Sequence, residues 1–150
     1  MELGPIQAGA VTGDLTGTGS LDIVVCDTLG NIAAYAADGK ILWDHVISGS
    51  VSQAPTLADL DADGLLEVIC ATSAGDIIVL RGSSGKNFPN FPVRTGDRII
   101  SPVSLLPFPE DEQHHEEPTM PRLLVPSFDG LVYLVDSRTG CTVSVLLVAA

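Results

Sequence analysis

The chain has 150 residues, enough for one ordinary domain with its own core, and its 45% hydrophobic and 17% charged content excludes a disordered chain. With 19 acidic residues against 7 basic ones, the formal net charge is -12. Such a surface repels phosphate backbones and carries no Lys/Arg stripe, which excludes nucleic-acid binding and leaves cation binding or plain solubility.

The segment Met1-Glu2-Leu3-Gly4-Pro5 has neither the basic region nor the apolar run of a secretory signal. From Ala10 onward the apolar residues come in short β-branched bursts separated by Gly, Asn and Asp, a pattern of strands and tight turns. The first unit carries a polar turn from Asp14 to Asp22, an apolar run through Cys26, a Gly30-Asn31 hairpin, the run Ile32 to Tyr35, and a turn at Asp38-Gly39-Lys40. Shifting the chain by 45 positions superposes Asp14 on Asp59, Gly19 on Gly64, Asp22 on Glu67 and Gly30-Asn31 on Gly75-Asp76. The second unit therefore repeats the first. Its expected strands are Thr56 to Leu60, Leu65 to Thr72, Ile77 to Arg81 and Phe91 to Thr95, with Pro89 and Pro92 assigned to the outermost, edge strand.

Asp129-Gly130-Leu131 opens a third copy of the hairpin, and Ala10, Pro55 and Pro102 stand ahead of the first apolar run of each unit. The units run over about 4–51, 52–98 and 99–150, and an acidic insertion at 107–121 replaces the polar turn of the third. Its Glu110 to Glu117 stretch, with His114 and His115, reads as a solvated loop, since adjacent residues of an extended loop rarely converge on one ion. A four-stranded unit repeated at this length is the signature of a β-propeller blade. The fold class is therefore all-β, with about three four-stranded antiparallel blades. Propellers typically close with about four to eight blades, so a segment of a larger propeller is expected. The remaining blades would come from the same chain or by self-association.

The second unit's turn, Asp59-Leu60-Asp61-Ala62-Asp63-Gly64-Leu65-Leu66-Glu67, sets carboxylates at turn positions 1, 3, 5 and 9. Calcium takes about six to eight oxygen ligands, which alternate residues of a tight turn can supply together with the Leu65 carbonyl at position 7. An EF-hand is excluded, because its bidentate Glu at position 12 would here be Cys70, in an apolar run. The first unit has the same frame with Asp14, Thr16, Thr18, Ser20 and Asp22. Two hydroxyls replace two carboxylates, so it is either a weaker cation site or a turn held by side-chain bonds to its own backbone.

These residues resemble the FG-GAP repeats of integrin α-subunit propellers. The carriers are the Asp59 to Glu67 turn, its copy at Asp14 to Asp22, and Ser52-Gln53-Ala54-Pro55 as a remnant of a Gly-Ala-Pro element. The stretch Gly13 to Gly96 looks most like large, membrane-anchored, calcium-binding plant members with a role in cell-wall or pollen-wall assembly. The Phe-Gly dipeptide is absent, and Glu67 stands where Asp is usual. The resemblance implies bound Ca2+, a protein or polysaccharide ligand, and an extracellular or endomembrane setting within a longer protein. In this sequence the longest apolar stretch, Val143 to Ala150, is far short of the ~20 residues of a membrane helix.

No nucleophile elbow, HExxH or phosphate-cradling glycine loop appears, and His45 reads as a strand residue, so no catalysis is expected. Asp38-Gly39-Lys40-Ile41-Leu42-Trp43 looks like the Gly-Lys-x-x-Trp turn of quinoprotein-type propellers. That alternative implies a BamB-like assembly scaffold or part of a cofactor-dependent enzyme. Cys26, Cys70 and Cys141 lack metal or redox spacing and read as buried free thiols.

Overall fold

The computed structural model describes residues 2–107 and 120–147. Within them, the chain forms three four-stranded antiparallel sheets, each taking its strands in sequence order. The first blade comprises β1 (Val11–Gly13), β2 (Asp22–Cys26), β3 (Asn31–Tyr35) and β4 (Ile41–Val46). The second comprises β5 (Thr56–Ala58), β6 (Glu67–Ala71), β7 (Asp76–Arg81) and β8 (Val93–Arg94). The third comprises β9 (Ser104–Leu106), β10 (Arg122–Pro126), β11 (Leu131–Asp136) and β12 (Thr142–Leu147). Among the described residues, no helix is long and apolar enough to cross a membrane.

The β2–β3 hairpin and its two copies share one set of bonds. The amides of Asp27, Thr72 and Ser127 donate to the carbonyls of Asn31, Asp76 and Leu131 at 2.9, 3.0 and 2.9 Å. Gly30, Gly75 and Gly130 follow in the left-handed region, at φ 88, 87 and 84°. A Cβ at Gly75 would stand 2.7 Å from the Asp97 carbonyl oxygen, so the turn needs glycine for space as well as for φ. Asp27 is fully buried here, and the amides of Gly4, Leu29 and Asn31 and the Asn31 side chain all donate to it.

Apolar residues on alternating sides of the strands pack the blades face to face. Val24, Cys26, Ile32 and Ala34 of the first blade meet Val68, Cys70, Ile78 and Leu80 of the second. Ile69, Ala71, Ile77 and Val79, on the second blade's other face, meet Leu123, Val125 and Val135 of the third. Every residue of β6 is consequently buried, whereas β2 and β10 alternate between buried and half-buried.

Several expectations need correction. The strands flanking the acidic turn are shorter than expected, because Asp59, Leu60, Leu65 and Leu66 belong to the turn, with Leu60 fully buried within it. The outermost strand of the second blade shrinks to Val93–Arg94. Pro92 has no N–H to give a ladder, and Phe91 instead buries its ring in the core between blades two and three. Pro89 lies in the preceding turn. Cys26 and Cys70 are buried free thiols with their Sγ atoms 3.6 Å apart across the first interblade face. Cys141, on the turn into the exposed β12, is solvent-exposed. Most of the insertion, with His114 and His115, lies outside the described residues.

Candidate cation site

The acidic turn bridges β5 and β6, and its frame occurs twice. In both copies the sixth residue's amide donates to the first carboxylate: Gly64 to Asp59 Oδ2 at 2.9 Å and Gly19 to Asp14 Oδ2 at 2.7 Å. In both, the amide of a buried leucine at the second position donates to the acid at the ninth. Leu60 reaches Glu67 Oε2 at 2.7 Å and Leu15 reaches Asp22 Oδ2 at 3.0 Å. Gly19 and Gly64, at φ 81 and 87°, allow the bend. The strand register explains the closure: Glu67 pairs with Ala58, and Asp22 with Gly13, directly below each turn. A one-residue slip would aim these acids at the opposite sheet face.

The copies differ in what is left over. In the first blade Asp14 Oδ1 accepts the Thr18 amide at 3.1 Å, and the Thr16 hydroxyl bonds Thr18 at 3.2 Å and Asp22 at 3.3 Å. The Gly19 amide foremost holds the Asp14 carboxyl below the usual carboxylate range. Ser20 is exposed, at the turn's outer end. That turn satisfies itself.

In the second blade Asp59 Oδ1 is shielded from solvent and has no hydrogen-bond partner. Asp59, Asp61 and Glu67 each bring one carboxylate oxygen into a group whose members lie within 4.8 Å of one another. Glu67 is 1% exposed. Burial pushes its carboxyl up to about 7; the Leu60 amide opposes this, and the charges of Asp61, Asp63 and Asp59 add to it. A cluster like this is costly without a positive charge inside it, because acids held this close repel one another. The residues therefore fit an oxygen-seeking cation: hard carboxylate donors, one of them orphaned, on a rigid strand-turn-strand frame.

Asp63 stands outside that group. Its Oδ1 accepts the Leu65 amide at 2.8 Å, and the Asp61 Oδ1 accepts the Asp63 amide at 3.3 Å. Leu65 thus meets the turn through its N–H. Arg81, which lies outside the acidic motif in sequence, also belongs to the site. It closes β7 directly opposite Glu67, and its Nη1 lies 3.3 Å from Asp61 Oδ2 and 3.8 Å from Asp63 Oδ2. A basic residue one strand beyond the acidic turn, with Ala36 at the same place in the first unit, was the available signal.

In the third blade the positions are exchanged: Arg122 stands where Asp22 and Glu67 stand, and Asp136 faces it. Trp43 belongs to the core between the first and second blades. It is buried, donates through Nε1 to the Gly82 carbonyl at 2.6 Å, and covers Gly85, where a Cβ would come within 2.6 Å of its ring. His45 is a half-buried β4 residue.

No family model matches the chain. A lambda-carrageenase from Pseudoalteromonas carrageenovora is 33% identical over 66 residues, which cover 44% of this chain and 7% of the enzyme. Among solved structures, BamB from Moraxella catarrhalis superposes with a TM-score of 0.61 at 20% identity, over 96% of this chain and 44% of BamB. BBS1N, solved in complex with ARL6DN, gives 0.69 at 13% identity, over 97% of this chain and 46% of that one. These likenesses establish the fold: the three sheets are β-propeller blades. The chain spans less than half of each of these propellers, and a small fraction of its curated relative.

Proposed function

We propose that the chain is a non-catalytic, calcium-binding β-propeller module for protein or glycan interaction, with the ion at the second blade's acidic turn. The observation that carries this reading is the convergence of Asp59, Asp61 and Glu67 around a turn in which Asp59 Oδ1 is buried without a partner. Those three carboxylates would hold the ion; Asp63 and the Leu65 carbonyl are the further oxygen donors that the turn offers. The ion would neutralise the cluster and brace the link between the inner strand and β6. Its role would be structural: it would tie two carboxylates of the turn to the one that opens β6. The first blade's turn, closed by its own threonines, is the weaker candidate.

Partners of the protein type draw support from the BBS1N propeller, solved with a protein bound, and a glycan from the match to a lambda-carrageenase. A cell-wall or cell-surface setting, outside or within the endomembranes, rests on the FG-GAP resemblance. Further blades, in the same chain or from a second copy, would cover the outer faces of blades one and three.

Metal that binds only the folded chain raises its stability by mass action. Millimolar calcium is therefore expected to raise the melting temperature, and Asp61→Ala with Asp63→Ala to abolish the gain. An unchanged wild-type melting curve would sink the calcium reading. The second reading, a BamB-like scaffold, is favoured by Trp43, which docks one blade onto the next. It expects melting indifferent to calcium but recovery of a protein partner by pull-down.

A further inference from the structure

The acidic turn already holds one positive charge. The Arg81 guanidinium reaches Asp61 and Asp63 at 3.3 and 3.8 Å, and its Cζ stands 5.1 Å from the centre of the Phe88 ring. Cross-strand register places Arg81 against Glu67 and Asp136 against Arg122, and the 45-residue repeat puts Ala36, just past β3, at the place of Arg81 in the first unit. A cation therefore accompanies the turn with four carboxylates, and an alanine holds its place in the unit whose turn replaces two of them with threonines.

Asp61 is claimed twice, once by Arg81 and once by the converging group of Asp59, Asp61 and Glu67. A divalent ion in that group would stand beside a guanidinium bonded to one of its own ligands, and like charges at such range repel. The ion and the guanidinium therefore compete for Asp61. Arg81 is about one-third exposed, and Phe88 offers its cation a face to rest on, so withdrawal has somewhere to go.

We propose that Arg81 is a built-in competitor of the cation, holding Asp61 and Asp63 in the metal-free chain and giving them up when the ion enters. This inference rests on the calcium reading above. Arg81 then acts as a positioning residue that sets the site's affinity: it keeps the turn folded without metal and raises the calcium concentration needed to fill it.

The test is calorimetric titration of the whole 150-residue chain with calcium, for the wild type, Arg81→Gln and Arg81→Lys, alongside melting curves in chelator. Arg81→Gln is expected to melt lower in chelator and to bind calcium about three- to tenfold tighter, as loss of a partly exposed ion pair and of a nearby like charge implies. Arg81→Lys, which keeps the charge, should stay near the wild type. Calcium binding by wild type and Arg81→Gln with equal affinity overturns the competition and leaves the calcium site standing. Absence of binding by both removes the site and the competition together, whereas binding by Arg81→Gln alone supports both. Should Arg81→Gln not fold, the wild-type Arg81 side-chain NMR resonance decides, since competition requires it to move on calcium saturation.

Discussion

Glu67 concentrates the turn's electrostatics in one side chain. Its carboxyl is held near pKa 7, against an ordinary 4.5, by burial and by three neighbouring aspartates. In the metal-free chain the folded state therefore prefers the protonated acid. The stability this supplies is complete below about pH 4.5 and is lost as pH rises through about 7. At about 1.4 kcal/mol per unit, and discounted for solvent reaching the half-exposed aspartates, the loss is on the order of 2 kcal/mol. Glu67→Gln keeps an oxygen for the Leu60 amide and carries no charge. Urea unfolding in chelator should show this variant more stable than the wild type by about 1–2 kcal/mol at pH 7.5 and no more stable at pH 4.5. A gap of the same size at both pH values contradicts the assignment.

At the scale of the strand and its connections, each blade is tied to the next by a few directional bonds laid over an apolar face. Trp43 makes the clearest of these, from β4 to the Gly82 carbonyl at 2.6 Å, beside Gly85 in the outer turn of blade two. Every other residue of the β4 strand is exposed or half-exposed, so Trp43 is its one buried side chain. Trp43→Phe leaves a buried carbonyl without its donor and is expected to cost about 1–3 kcal/mol by equilibrium unfolding, with Trp43→Ala costing about 3–5 kcal/mol. Equal losses for the two variants would mean that the ring's packing adds nothing beyond the indole N–H bond. The turn residues at this scale were legible in sequence: Gly30, Gly75 and Gly130 recur where a left-handed residue is needed. Strand ends were less so, because apolar residues such as Leu60 and Phe91 can be buried in turns as readily as in strands.

For the whole molecule, the decisive contrast lies between β6, buried along its length, and β2 and β10, each buried on one face only. The outward residues of those flanking strands, Ile23, Val25 and Leu124, are as apolar as the inward ones, yet only half-buried. Such faces suit another blade, since close-packed apolar contact is what already joins the three. The 150-residue chain, purified by itself, is expected to associate in sedimentation experiments. Replacing Leu124 by a charged residue should weaken that association without unfolding the chain. A monodisperse folded monomer counts against blade-on-blade assembly.

The blade architecture and the acidic turn were readable from the sequence alone, because both rest on local rules: a 45-residue period, glycines at tight turns, and acids spaced to converge. Those rules identified Asp59, Asp61 and Glu67 together with Asp63 and the weaker copy at Asp14. Only the tertiary structure showed how each turn partners its first carboxylate. One satisfies Asp14 with the Thr18 amide, while the other leaves Asp59 Oδ1 buried and unpartnered. It also brought in Arg81, which lies 20 residues from Asp61 along the chain but shares a salt bridge with it. Spacing along one strand shows which acids can meet. Which charges they meet from the neighbouring strand, and how much water is left between them, is settled by register and packing across the sheet.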